Sequence, residues 1–111
     1  MQDYLTILSA VNDGFRIKLL LFLLKNGRSC VCEMQHSLEV KQSRLSLALK
    51  TLCLAGFISV HRKGRWAYYM IEPKTMIHKD FLTHIQKLNI KIPPKTYECE
   101  TKAKDNIENK I

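Results

Sequence analysis

Long apolar runs are missing from this 111-residue chain. The stretch Leu19–Leu24 is six residues long between Lys18 and Lys25, far below the ~18 that a membrane-spanning helix needs, so a buried helix accounts for it. A secretory leader is not expected either, because Met1-Gln2-Asp3-Tyr4 carries an acid where a basic region belongs, and Asp13 and Arg16 interrupt the apolar positions after it. The expected location is cytoplasmic. No Cys-X-X-Cys occurs, which weighs against a thiol–disulfide enzyme or metal carrier. No internal repeat is found. Length is short as well, allowing one modest core but neither two domains nor a typical enzyme domain. Acid is scarce, with 10 Asp and Glu against 18 Lys and Arg, a formal charge of +8.

Such a balance favours a polyanionic partner through attraction and counterion release. The excess is densest in the middle third, residues 39–72, where six basic side chains face two acidic ones. Four cysteines in a reducing compartment read as thiols, ligands or redox sensors rather than a disulfide framework.

Apolar periodicity predicts a first helix over residues 3–12, ended by Asn12-Asp13-Gly14, and a central helix over 14–26, ended by Asn26-Gly27. A third helix covers about Val31–Leu38. After the short link Glu39-Val40-Lys41, a fourth spans about Gln42–Leu54, with Leu45, Leu49 and Leu52 inward and Gln42, Ser43, Ser46, Leu47 and Lys50 outward. Phe57–Arg62 and Arg65–Ile71 read as two strands around Lys63-Gly64, a hairpin with a basic tip. A last helix, about Lys74–Leu88, places Ile77, Phe81, Ile85 and Leu88 on one stripe. The expected fold is therefore mainly α with a small β-hairpin wing, in the order α-α-α-α-β-β-α: one domain over residues 1–92, then a polar tail over 93–111. The first and last helices are amphipathic and terminal, natural surfaces for a second copy.

Leu38, Gln42, Ser43, Ser46, Leu49, Leu52, Ala55-Gly56 and the hairpin run Arg62-Lys63-Gly64-Arg65-Trp66-Ala67-Tyr68-Tyr69 resemble the ArsR (ArsR/SmtB) family of winged helix-turn-helix repressors across roughly residues 5–88. The resemblance implies a homodimer that binds a palindromic operator and blocks transcription until an inducer arrives. Physical reasoning agrees on the reading head: Gln42, Ser43 and Ser46 suit entry into the major groove, Arg44 and Lys50 suit phosphates, and Arg62, Lys63 and Arg65 suit minor-groove or phosphate contact by the wing. Two departures stand out. Lys41, itself available to a phosphate, replaces a Ser or Thr cap, and Leu47 and Ala48 replace Arg or His. Leu47 suits thymine methyl groups, which predicts an AT-rich operator. Trp66, Tyr68 and Tyr69 alternate as core residues of a strand rather than as a base-stacking platform.

Ser29-Cys30-Val31-Cys32-Glu33-Met34 resembles the family's metal box, read as an arsenite and antimonite site. Soft thiolates select thiophilic ions, so arsenite, antimonite or a soft divalent metal is the expected inducer, with no obligatory cofactor. A helix N-terminus is expected to lower thiol pKa. Side chains two apart on an ideal helix diverge by about 200°, so an ion bridging both sulfurs is expected to unwind the first turn. Gln35 stands where the fuller pattern has a third Cys; Cys99 from the tail is the leading substitute and packed Cys53 the weaker one. The family's other metal site fails to map, since Met76 replaces an Asp, and His78 and His84 are expected on the surface. His36 and His61 lack paired ligands. Two alternatives remain: a thiol-redox sensor on the same fold, in which Cys30 and Cys32 oxidise with or without Cys99, and a winged helix that binds protein alone, against which the basic wing argues.

Overall fold

Residues 2–95 are described by the computed structural model. The elements are α1 (Gln2–Ala10), α2 (Gly14–Asn26), β1 (Ser29–Cys30), α3 (Val31–Leu38), α4 (Gln42–Ala55), β2 (Ile58–Lys63), β3 (Trp66–Ile71) and α5 (Met76–Gln86). Five helices and a hairpin wing match the expected winged helix-turn-helix architecture. The element order gains one strand: β1 pairs antiparallel with β3, Ser29 opposite Tyr69 and Cys30 opposite Tyr68, giving a three-stranded sheet in the order β1-β3-β2.

The helix ends reflect local chemistry. Asp13 caps α2, its carboxylate accepting the N–H groups of Phe15 at 2.9 Å and Arg16 at 3.1 Å. The Arg16 guanidinium reaches back to donate to Ala10 O at 2.6 Å, fixing the α1–α2 corner. Gly56, at φ +92°, ends α4 in a Schellman motif, with Gly56 N–H donating to Cys53 O and Phe57 N–H to Leu52 O. The wing turns at Gly64, φ +63°, between the paired residues Lys63 and Trp66.

The core is built around α2, whose Leu19, Leu20 and Phe22 are wholly buried and meet Met34, Leu45, Leu49, Leu52 and Phe57. Among the described residues no helix is long and apolar enough to cross a membrane.

His78 corrects the expectation of a surface histidine. It is 3% exposed, its Nδ1 accepts the Thr75 N–H at 3.2 Å, and its Nε2–H donates to Ala55 O at 2.6 Å. The imidazole thus joins the start of α5 to the end of α4, with the Phe57 ring edge-on at 4.7 Å. This placement needs Gly56, because a Cβ there would stand 2.9 Å from His78 Nε2.

Packing continues past residue 92. Ile92 joins the core, Lys25 Nζ donates to Ile92 O at 2.7 Å, and Lys95 N–H donates to Asn26 Oδ1 at 3.2 Å. This strap carries the chain from the end of α5 back across the C-terminus of α2. Residues 96–111, including Cys99, lie outside the described residues.

Candidate nucleic-acid interface and thiol site

The link Glu39-Val40-Lys41 turns the chain between α3 and α4, and Glu39 does so in the left-handed region at φ +52°. Its N–H donates to Gln35 O, ending α3. Lys41 precedes α4 without a side-chain cap, as its residue type predicts. Beyond it Gln42, Ser43, Arg44, Ser46, Leu47 and Lys50 are all exposed, while Leu45, Ala48 and Leu49 are buried. The helix therefore shows one polar face outward, as its sequence predicts. Arg62, Lys63 and Arg65 are exposed around the wing turn. Two of these arginines already face a ring: the Arg65 guanidinium lies 5.7 Å from the centre of the Trp66 ring, and Arg44 is held more closely. Its guanidinium lies 4.4 Å from the centre of the Phe15 ring, a cation–π contact that draws it toward the start of α2. A phosphate would have to compete with that contact.

Tyr68 is buried, and Trp66 is half-buried against Cys30 and Tyr68. Both belong to packing, as the strand alternation implies.

Cys30 lies at the end of β1, in extended backbone with φ −90° and ψ +167°, and serves as the N-cap of α3. This position overturns the expected 200° divergence, which assumed that both cysteines were helical. The Cys30 and Cys32 sulfurs stand 3.3 Å apart. Across a tetrahedral centre with Zn–S bonds of about 2.3 Å, two sulfurs would lie about 3.8 Å apart, about half an ångström further than here. The sulfurs therefore stand together with the first turn of α3 intact, and unwinding is not needed to bring them to that distance.

Glu33 holds this corner. Its carboxylate is buried, accepts the Cys30 N–H at 2.9 Å, and faces Lys95 Nζ at 3.9 Å. Lys95 also donates to Arg28 O at 3.0 Å, so the strap ends beside the thiol site. Burial pushes the Cys30 thiol above its usual pKa, opposed by the Glu33 N–H and reinforced by the Glu33 charge. The lowering expected from the helix N-terminus is therefore outweighed. Cys30 and Cys53 are free thiols, whereas Cys32 is disulfide-bonded. Cys53 packs against the main core, while Cys30 belongs to a separate small cluster with Tyr68. Among the described residues, no group of three or more His, Cys, Asp or Glu side chains is placed to hold a metal ion.

The two sulfurs border a cavity of about 280 Å³ lined by Cys30, Cys32, Gln35, Gln42, Arg65 and Trp66. One wall is the first residue of α4 and another is the wing. Sequence reasoning missed this adjacency because β1 is two residues long, too short to show alternation. A second, larger opening of about 950 Å³ runs from Cys32 past His36 to Lys41 and Pro93.

No family model matches the chain. It is 35% identical over 77 residues to the arsenic resistance transcriptional regulator ArsR1 of Pseudomonas putida, covering 67% of this chain and 60% of that protein. It is 36% identical over 69 residues to the arsenical resistance operon repressor of Bacillus subtilis, covering 62% of this chain and 66% of that one. With an uncharacterized HTH-type transcriptional regulator of Methanocaldococcus jannaschii it shares 34% identity over 65 residues, 59% of this chain and 73% of the relative. The matches thus span less than two thirds of the first two relatives. Among solved structures, HlyU of Vibrio cholerae superposes with a TM-score of 0.68 at 24% identity, over 79% of this chain and 92% of that one. The homodimeric winged helix-turn-helix domain of a possible ArsR-family regulator from Mycobacterium bovis gives 0.68 at 20% identity, over 78% of each chain.

Proposed function

The chain belongs to the ArsR family of winged helix-turn-helix transcriptional regulators, and from that premise we propose that it is a repressor released from DNA by a thiophilic metalloid or metal bound at Cys30 and Cys32. The family consists of regulators rather than enzymes. The observation that carries the reading is the shared cavity, in which Cys30, Cys32, Gln42 of α4 and Arg65 of the wing line one space.

In this reading the DNA-contacting surface is Lys41, Gln42, Ser43, Arg44, Ser46, Leu47 and Lys50, with Arg62, Lys63 and Arg65 on the wing. A homodimer presents two such surfaces to a palindromic operator. Support for the dimer is the apolar surface left on the terminal helices, where Tyr4, Leu5 and Leu8 of α1 and Met76 and Ile77 of α5 are exposed.

The inducer of first choice is arsenite or antimonite, with a soft divalent metal next. Arsenite is a neutral trihydroxide in water, and two thiols exchange for two of its hydroxides, forming two S–As bonds and releasing two waters. The exchange uses the reduced form of Cys32. A third thiolate would come from Cys99: the strap holds Lys95 beside Glu33, and the four residues from Lys95 to Cys99 span at most about 14 Å, enough to reach the neighbouring Cys32. An inducer in the cavity presses on the start of α4 and, through the pairing of Cys30 with Tyr68, on the wing. Both half-sites then lose register with the operator.

A second reading, a thiol-redox regulator, is favoured by the disulfide at Cys32. One gel-shift series separates the two. Arsenite, antimonite, cadmium, zinc and peroxide are added in turn to operator complexes of wild type, Cys30→Ser, Cys32→Ser and Cys99→Ser. Release of wild type by arsenite, abolished in the first two variants and weakened in the third, is the expected result. Release by peroxide alone would move the assignment to redox sensing, and no release by any metalloid or metal rejects the inducer class.

A further inference from the structure

Leu47 is the anomaly of the recognition helix. It is 68% exposed near the middle of a surface otherwise made of short polar and basic side chains. Its neighbours one helical turn away are Ser43 and Arg44 on one side and Lys50 and Thr51 on the other. The next exposed apolar residue on α4 is Leu54, seven positions and about 10 Å further along. Lys50 and Thr51 lie between them, and Thr51 turns its hydroxyl back to donate to Leu47 O at 3.0 Å.

That arrangement argues against an apolar protein partner, which would meet a stripe at three- and four-residue spacing rather than one isolated side chain. It argues for a small apolar target inside a polar, anionic surface. Lys50 beside Leu47, and the six basic side chains of residues 39–72, supply the complementary charge. The edges of base pairs in the major groove present hydrogen-bonding groups and one apolar group, the C5-methyl of thymine.

We propose that Leu47 is a specificity-determining residue that reads a thymine methyl group in each half-site, an inference that rests on the DNA-binding reading above. Gln42, Ser43 and Ser46 supply polar contacts around it, and Leu47 selects thymine over cytosine at one position per half-site.

The test removes the methyl group and nothing else. A binding duplex is selected from a random-sequence library with wild-type protein, and each thymine is then replaced singly by uracil. Wild type is expected to lose affinity about three- to fourfold at one symmetry-related position, the equivalent of one buried methyl at about 0.8 kcal/mol, and to be indifferent at the others. Leu47→Ala, at a site too exposed to disturb folding, is expected to bind thymine and uracil equally there while retaining wild-type discrimination elsewhere. Wild-type binding that is indifferent to uracil at every position, or Leu47→Ala that keeps the same preference, overturns this inference and leaves DNA binding intact. Failure to select any duplex overturns the DNA-binding reading and the inference with it.

Discussion

Two helix starts in this protein use the same device for different ends. At α3, Cys30 and Glu33 form a capping box, and at α5, Thr75 and His78 form another. Around His78 both ring nitrogens have partners, and a Cβ on Gly56 would collide with the ring. That corner is a lock. Around Cys30 the Glu33 carboxylate is equally buried, but the sulfurs border a cavity shared with the recognition helix and the wing. Burial with complete contacts fixes one junction, whereas the other is buried beside an open space, where the function proposed above places the inducer.

Substitutions graded by size sharpen this contrast. His78→Ala should cost the most, about 3 kcal/mol from the cavity and the orphaned Ala55 carbonyl. The thermal midpoint followed by circular dichroism would then fall by roughly 10–20 °C. A loss as small as that of Cys30→Ser would show that the two corners do not differ as argued. Asp13→Ala isolates what a cap is worth without a buried neighbour, and about 1 kcal/mol is expected. The Asp13 carboxyl is held below its ordinary pKa, chiefly by the Arg16 N–H. Its contribution is therefore complete above the unfolded value of about 4 and lost as pH falls through the lower folded value. Denaturant titrations of wild type and variant should converge in acid; a constant gap would assign the effect elsewhere. Lys95→Ala should be the mildest, because the contact is long at 3.9 Å and the buried Glu33 carboxylate keeps the Cys30 N–H; about 1 kcal/mol is expected, yet it loosens the strap beside the sulfurs. A small loss of stability with weaker arsenite-induced release is the expected pairing, and unchanged release would separate the strap from sensing.

Most of the fold is legible in the chain. The apolar period of α2 reproduces its boundaries at Gly14 and Asn26, and the inward leucines of α4 leave Gln42, Ser43, Ser46, Leu47 and Lys50 outside, as the structure has them. Both patterns are local, since a helix that buries one face must repeat at 3.6 residues. The last helix is shorter than its pattern: Thr75 caps it in extended backbone, so it begins at Met76, and beyond the Lys87 cap the chain turns left-handed at Asn89, φ +55°. The thiol site is where local reading stops. Helical geometry assigned to Cys30 gives diverging sulfurs, but pairing with Tyr68 draws that residue into the sheet and brings the sulfurs to 3.3 Å. Arg44 and His78 repeat the lesson: the first is drawn to Phe15 and the second buried against Ala55, partners that lie 29 and 23 positions away.

The sequence by itself determined the helices, the wing, the basic surface and the presence of two closely spaced thiols, because periodicity, turn residues and charge act between near neighbours. Tertiary structure alone decided what those thiols touch. Only after β1 joins β3 and the strap crosses α2 do Cys30, Cys32, Gln42 and Arg65 border one space and Lys95 reach Glu33. Those contacts join residues far apart in the chain, and their geometry is set by how the sheet and helices pack around α2.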